Sequence, residues 1–220
     1  MKIQQKQGDK GSLKWIQTLV NKNSDLLNEK IKIHIGNDSF EIQWLSPLKH
    51  DNYAEYRDKD FLKILGLQNF NNKLSEFWPE RGPQWDALGK SNSNHYFLVE
   101  AKANIPEITS SCFAKADDSI IKIQRGIGRT KEYLKASSGK NWFDGFYQYA
   151  NRLCHLYFLR EFCGVNAYMI FIYFCNDQTH IPTEYKEWTG ALNLQKHLMS
   201  LKRHKLQKYV IDIFIDVKTM

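Results

Sequence analysis

The run Ala167 to Cys175, AYMIFIYFC, constrains the fold of this chain more than any other segment. Nine apolar or aromatic residues in succession leave no polar face. At this length the run is strand-sized and too short to span a membrane. A strand that is apolar on both sides belongs in the middle of a sheet covered by helices on both faces. Enough chain surrounds it to build such a fold, because 220 residues are room for one substantial domain.

The other elements can be read outward from that strand. Tyr209 to Val217 places Tyr209, Ile211, Ile213, Ile215 and Val217 on one face of a second strand. Residues 184 to 206 have helical character and become increasingly basic. Phe143 to Phe162 predicts a helix, with apolar residues recurring at three and four. Asp117 to Leu134 predicts another, with Ile120, Ile123, Ile127 and Leu134 as its stripe and Asp117 or Asp118 placed to cap it. Upstream, Gln84 to Leu88 and Tyr96 to Lys102 read as short strands, with a turn composition over 89–94. Asp51 to Leu67 predicts a helix that stops at Gly66. Leu13, Ile16, Leu19 and Val20 are spaced as in a helix. Ile31, Ile33 and Ile35, then Phe40, Ile42 and Trp44, alternate with polar residues around Gly36-Asn37-Asp38-Ser39, which predicts a β-hairpin. The expected architecture is α/β, a mixed central β-sheet flanked by helices. It forms one domain over 1–220, with a helix and hairpin extension over 1–50 and a core over 51–220.

Composition closes several classes. Hydrophobic residues make up 42% and charged residues 25%, as in a globular protein rather than a disordered one. The N-terminal sequence has no apolar stretch for a signal peptide. Cys112, Cys154, Cys163 and Cys175 are scattered without a CxxC pair, which argues against a zinc ribbon or a disulfide framework. A cytoplasmic location with reduced thiols and no membrane association is the expectation. Thirty-one Lys and Arg against 24 Asp and Glu give +7, an excess that suits a polyanionic partner.

One constellation carries chemistry. Asp86 interrupts a short apolar strand, and fourteen residues later Glu100-Ala101-Lys102 ends another. Alternation puts Glu100 and Lys102 on one face of their strand. If the two strands pair across the intervening turn, Asp86 and Glu100 converge. Two carboxylates form a hard-oxygen site for Mg²⁺ or Mn²⁺, and such a cation activates water and neutralises phosphate. Lys102 would orient that water or stabilise developing charge. A Glu-x-Lys alone would read as an ordinary ion pair on a solvated strand; the preceding Asp at hairpin distance is what adds meaning.

These residues resemble the PD-(D/E)xK nuclease superfamily. Gly82-Pro83-Gln84-Trp85-Asp86 is similar to its first acidic motif and Glu100-Ala101-Lys102 to its second. The strings FWPERGPQWDAL and LVEAKANIPE also resemble an uncharacterised bacterial group within it. The resemblance is concentrated in residues 77 to 107. It implies a restriction-endonuclease-like fold and a metal-dependent DNA nuclease, a hydrolase of phosphodiester bonds. In that reading Asp86 and Glu100 bind Mg²⁺ (or Mn²⁺), the Ala101 carbonyl joins them, and Lys102 stands beside the water. Pro83 is two residues removed from Asp86 rather than adjacent to it. An additional acid from an early helix is common in such sites; Glu55 and Glu76 are both available.

Around this centre, Gln84, Gln148 and Arg152 are candidates to line the site. Lys115, Lys122, Arg125 and Arg129 form a basic stripe suited to DNA phosphates, and Lys196, His197, Lys202, Arg203, His204, Lys205 and Lys208 form a second basic cluster. Taken alone, the basic residues read better as solvated helix faces, and for Gln148 and Arg152 a polar edge on a core helix is equally consistent. Gly126-Ile127-Gly128-Arg129 lacks the context of a phosphate loop. A double-strand cutter needs two sites, so a homodimer is a further expectation. Two other functions share the same residues: a non-catalytic nucleic-acid-binding module, and a structural or interaction domain with an incidental acidic pair.

Overall fold

The computed structural model describes residues 1–137 and 139–220. In chain order the elements are β1 (Lys2–Ile3), α1 (Gly11–Lys22), α2 (Ser24–Ile35), β2 (Ile42–Ser46), β3 (Glu55–Tyr56), α3 (Asp58–Leu65), α4 (Asn71–Phe77), β4 (Ala87–Ser91) and β5 (Tyr96–Lys102). They continue with α5 (Asp117–Leu134), α6 (Tyr147–Tyr157), β6 (Ala167–Cys175), α7 (Tyr185–Leu198) and β7 (Val210–Asp216). The central sheet has the order β2-β4-β5-β6-β7. β2, β4 and β5 pair antiparallel, and β5, β6 and β7 run parallel. The fold is therefore α/β with a mixed sheet flanked by helices.

The all-apolar run occupies the expected place. Every residue of β6 is buried, and its side chains alternate between two cores. Tyr168, Ile170, Ile172 and Phe174 face α1 and α2, where Ile16, Leu19, Val20, Leu27 and Ile31 meet them. Met169, Phe171, Tyr173 and Cys175 face the core that α3 to α7 complete. The same alternation in β5 sends Phe97, Val99 and Ala101 to the first core and Leu98 to the second. Glu100 and Lys102 share the Leu98 face by strand periodicity.

The expected hairpin over 31–44 does not form. Ile31, Ile33 and Ile35 lie in α2, where Leu27 and Ile31 are buried four residues apart and Ile33 is 70% exposed. Gly36, at φ 71°, ends the helix: its N–H donates to Ile33 and that of Asn37 to Lys32. This is a Schellman stop rather than a hairpin turn. The first fifty residues are also more than an extension, because β2 is a strand of the central sheet.

Other boundaries move. The helix expected from Asp51 begins only at Asp58, and before it β3 forms a bridge from Tyr56 to Trp85. β4 runs from Ala87 to Ser91, so the turn narrows to residues 92–94, because β2 pairs along Gly89 to Ser91. Gly89 is needed there: a Cβ would come within 3.0 Å of the Trp44 ring. The helix expected over 143–162 is α6 with a π-turn at Phe158–Phe162. α7 ends at Leu198, short of 206. Asp117 and Asp118 lie in the first turn of α5 rather than at its cap, which is Ala116; their charge still favours that end of the helix. Gly126 lies inside α5 against the Trp78 ring, where a Cβ would approach to 2.8 Å, so it serves helix packing.

Candidate functional site

The site is built where β4 enters the sheet beside the end of β5. Ala87 pairs with Val99, which sets Asp86 opposite Glu100 on the same sheet face. The Asp86 N–H donates to the Val99 carbonyl at 3.2 Å, and its Oδ2 accepts the Ala101 N–H at 2.7 Å. The Asp therefore closes the ladder with its side chain at the point where the backbone ladder ends. Asp86, Glu100, Ala101 and Lys102 converge as their spacing predicts.

Glu100 is the hub. It is 3% exposed, yet its carboxylate is fully engaged. Oε1 meets Lys102 Nζ at 2.6 Å; Oε2 meets Arg152 Nε at 2.7 Å and Nη2 at 2.5 Å. Burial alone would raise its pKa, but Arg152 and Lys102 more than offset that and hold it below the ordinary glutamate value. Asp86 moves the opposite way. Burial, followed by repulsion from Glu100 and Glu55, pushes it well above the ordinary aspartate value, against the opposing pull of Lys102 and the Ala101 N–H.

Both candidates on α6 reach the site. Gln148 Oε1 accepts from Lys102 Nζ at 2.8 Å, and the Gln148 N–H is anchored on Ser110 Oγ at 2.8 Å. Arg152, one turn later and also buried, donates to the Gln84 carbonyl at 2.9 Å and to Asn151 Oδ1 at 2.7 Å. Its guanidinium lies 5.1 Å from the Trp85 ring centroid. The i, i+4 spacing of Gln148 and Arg152 places them on one helix face, so α6 presents an amide to the lysine and a guanidinium to the glutamate.

Of the two additional acids the sequence offers, Glu55 lies at this cluster and Glu76 does not. Glu55 is 4% exposed and accepts from Gln84 Nε2 and from Gln5 Nε2, the latter at 3.0 Å. Burial raises its pKa, and Glu100 is among the charges that act on it. Glu76 is exposed on α4, and no polar contact links it to this cluster among the described residues. Glu55 comes from the short strand β3, not from a helix. Gln5 had no signal in the sequence, since its place depends on the pairing of β1 with β3.

The basic stripe divides. Lys115 is exposed just ahead of α5. Lys122 donates to the Ser75 carbonyl at 2.8 Å and ties α5 to α4. Arg129 lies over the Phe162 ring at 5.9 Å, and Arg125 is exposed. Much of the C-terminal basic cluster serves packing: Lys196 pairs with Asp212, Lys205 lies 4.6 Å from the Tyr133 ring, Lys208 lies 4.8 Å from Tyr209, and burial pushes His204 down to about 4.

Among the described residues, no three His, Cys, Asp or Glu side chains form a ready cage for a metal ion. The donor chemistry nevertheless suits a hard cation. Three carboxylates, Glu55, Asp86 and Glu100, act on one another, and two fixed cations, Lys102 and Arg152, oppose them. The surplus negative charge is what a divalent cation relieves. Among the described residues no helix is long and apolar enough to cross a membrane. Comparison with protein-family models, with curated proteins and with solved structures returns no match.

Proposed function

We propose that this chain is a Mg²⁺-dependent nuclease with a restriction-endonuclease-like core, hydrolysing phosphodiester bonds in DNA. The observation that carries the reading is the meeting of Asp86, Glu100 and Lys102 on one face of two neighbouring antiparallel strands. Asp86 and Glu100, with the Ala101 carbonyl, would hold the cation. When bound, such a cation supplies a water of lowered pKa and offsets phosphate charge.

The remaining roles belong to the chain itself. Lys102, held between Glu100 and Gln148, keeps an ammonium at the place where charge grows on the phosphorane oxygens. Gln148 fixes its direction. Arg152 anchors Glu100 and the Gln84 backbone together, so the two strands bearing the carboxylates stay in register. Glu55 holds the Gln84 side chain from the opposite side. Gln5, Gln84, Gln148 and Arg152 are thus positioning residues.

Supercoiled plasmid with Mg²⁺ or Mn²⁺ tests the reading. Wild type is expected to nick or cut it, and Lys102→Ala to lose at least about 10²-fold in rate with an unchanged circular dichroism spectrum. Cutting that survives both Lys102→Ala and Asp86→Ala removes the assignment. A second reading is favoured by one observation: both Glu100 oxygens are occupied by Lys102 and Arg152. If that pairing is permanent, the chain is a non-catalytic DNA-binding module. It would then bind DNA with a steep salt dependence and leave it intact.

A further inference from the structure

Between the Trp78–Arg81 turn and the start of α5 lies a cleft of about 730 Å³ that the nuclease chemistry does not use. That size falls within the range of ligand pockets. Trp78 and Tyr147 form apolar walls, Arg81, Lys115 and Glu80 bring charge, and Phe113 stands at its edge. Phe113 is 85% exposed, more than any other large apolar side chain among the described residues. The backbone that carries it is fixed. The Ser110 N–H donates to Gly145 at 2.9 Å, the Cys112 N–H to Phe143 at 2.8 Å, and the Tyr147 N–H to Ser110 at 3.1 Å. A fixed backbone holds the ring out in water instead of letting the segment fold over it.

The cleft is also wired to the site. Ser110, three residues before Phe113, receives the Gln148 N–H, and Gln148 holds Lys102. Tyr147, a wall of the cleft, is the residue before Gln148. Whatever sits on Phe113 is therefore joined to the catalytic lysine through one segment and one helix start.

We propose that this cleft receives an unpaired nucleotide of single-stranded DNA, its base stacked on Phe113 and its phosphates drawn by Lys115 and Arg81. The inference rests on the nuclease reading for its biological sense and names a substrate class that reading leaves open. An exposed aromatic offers a face to a base of any sequence, and flanking cations follow the backbone. In a duplex the same base faces are already covered by their neighbours, so a lone ring gains nothing there without base extrusion. Two cations against Glu80 give the cleft the sign a phosphodiester chain requires.

Fluorescence anisotropy with a labelled oligo-dT 15-mer and a 15-base-pair duplex, in EDTA with the full chain, tests this. Without metal there is no hydrolysis, so the binding result stands or falls apart from the plasmid assay. Wild type is expected to prefer the single strand. Phe113→Ala should weaken single-strand binding roughly ten-fold or more while leaving duplex binding unchanged, and Phe113→Trp should restore it. The proposal is overturned by equal single-strand affinity of Phe113→Ala and wild type, by equal losses on both DNAs, or by no DNA binding. Because Phe113 is exposed, a thermal midpoint unchanged by the substitution is expected throughout.

Discussion

The two faces of the central sheet use the same strands for opposite purposes. Against α1 and α2 the sheet is aliphatic and aromatic: Phe97, Val99, Ile170, Ile172, Phe174, Ile211, Ile213 and Ile215 bury surface without a charge among them. On the other face the same β5 carries Glu100 and Lys102 into a core that also buries Arg152, Glu55 and His155. Shifting one residue along β5 moves from a contact whose worth is area removed from water to one whose worth depends on every partner being present. The apolar face can repack after a substitution; the polar face fails as a unit.

That contrast can be broken in order of size. Arg152→Leu leaves Glu100 buried with one cation instead of two, and urea unfolding should show a loss of about 3–5 kcal/mol. Adding Glu100→Leu should recover much of it, because the pair costs desolvation that two apolar side chains do not. If the double variant is as unstable as the sum of the single ones, the hub is not a coupled unit. On the apolar face, Ile170→Ala should cost about 2–4 kcal/mol through its cavity, yet leave Mn²⁺ binding by the folded protein unaltered in calorimetry. A change in that binding would show that the faces are not separate.

The smallest effect has the opposite sign. Asp86 has its pKa raised by burial and by two neighbouring carboxylates, so between its unfolded and folded values the native state binds more protons than the unfolded chain. Stability is then lost as pH rises through that window. Asp86→Asn removes the penalty and keeps an acceptor for the Ala101 N–H. In metal-free buffer its thermal midpoint should exceed that of wild type by roughly 2–4 °C, more at pH 8 than at pH 5. A lower midpoint at pH 8 would mean the carboxylate stabilises the metal-free fold. Under the proposed function, such a gain is the usual trade between stability and activity.

His155 marks a quieter part of the polar face. It lies among Phe61, Phe77, Trp78 and Trp85, with Nδ1 donating to the Asn151 carbonyl at 2.8 Å. Burial pushes its pKa down to about 3, so it stays neutral in the native state. It withdraws stability as pH falls below the ordinary histidine value toward 3, since the unfolded chain gains the proton first.

Legibility in the sequence followed the strength of local signals. β5, β6 and α5 match their expected spans, and each has an unbroken pattern with one interpretation. α2 did not, because Ile31, Ile33 and Ile35 satisfy period two as well as a helix turn, and the deciding contacts of Leu27 and Ile31 are tertiary. The Asp86, Glu100 and Lys102 juxtaposition was legible because strand alternation and a short turn fix it. The choice of Glu55 over Glu76 was not. It depends on the Tyr56–Trp85 bridge, made by a strand of two residues. Phe113 had no signal at all, since exposure is decided by the backbone bonds of Ser110 and Cys112 to distant residues.

In the proposed function the carboxylates of Asp86 and Glu100 are the ligands of a catalytic cation. A crystal soaked in Mn²⁺ and measured for anomalous scattering tests it most directly. A peak is expected between Asp86 and Glu100, within bonding distance of the Ala101 carbonyl, with Glu100 drawn from Lys102 toward the ion. Density showing Glu100 still closed on Arg152 and Lys102, with no anomalous peak beside Asp86, would contradict it.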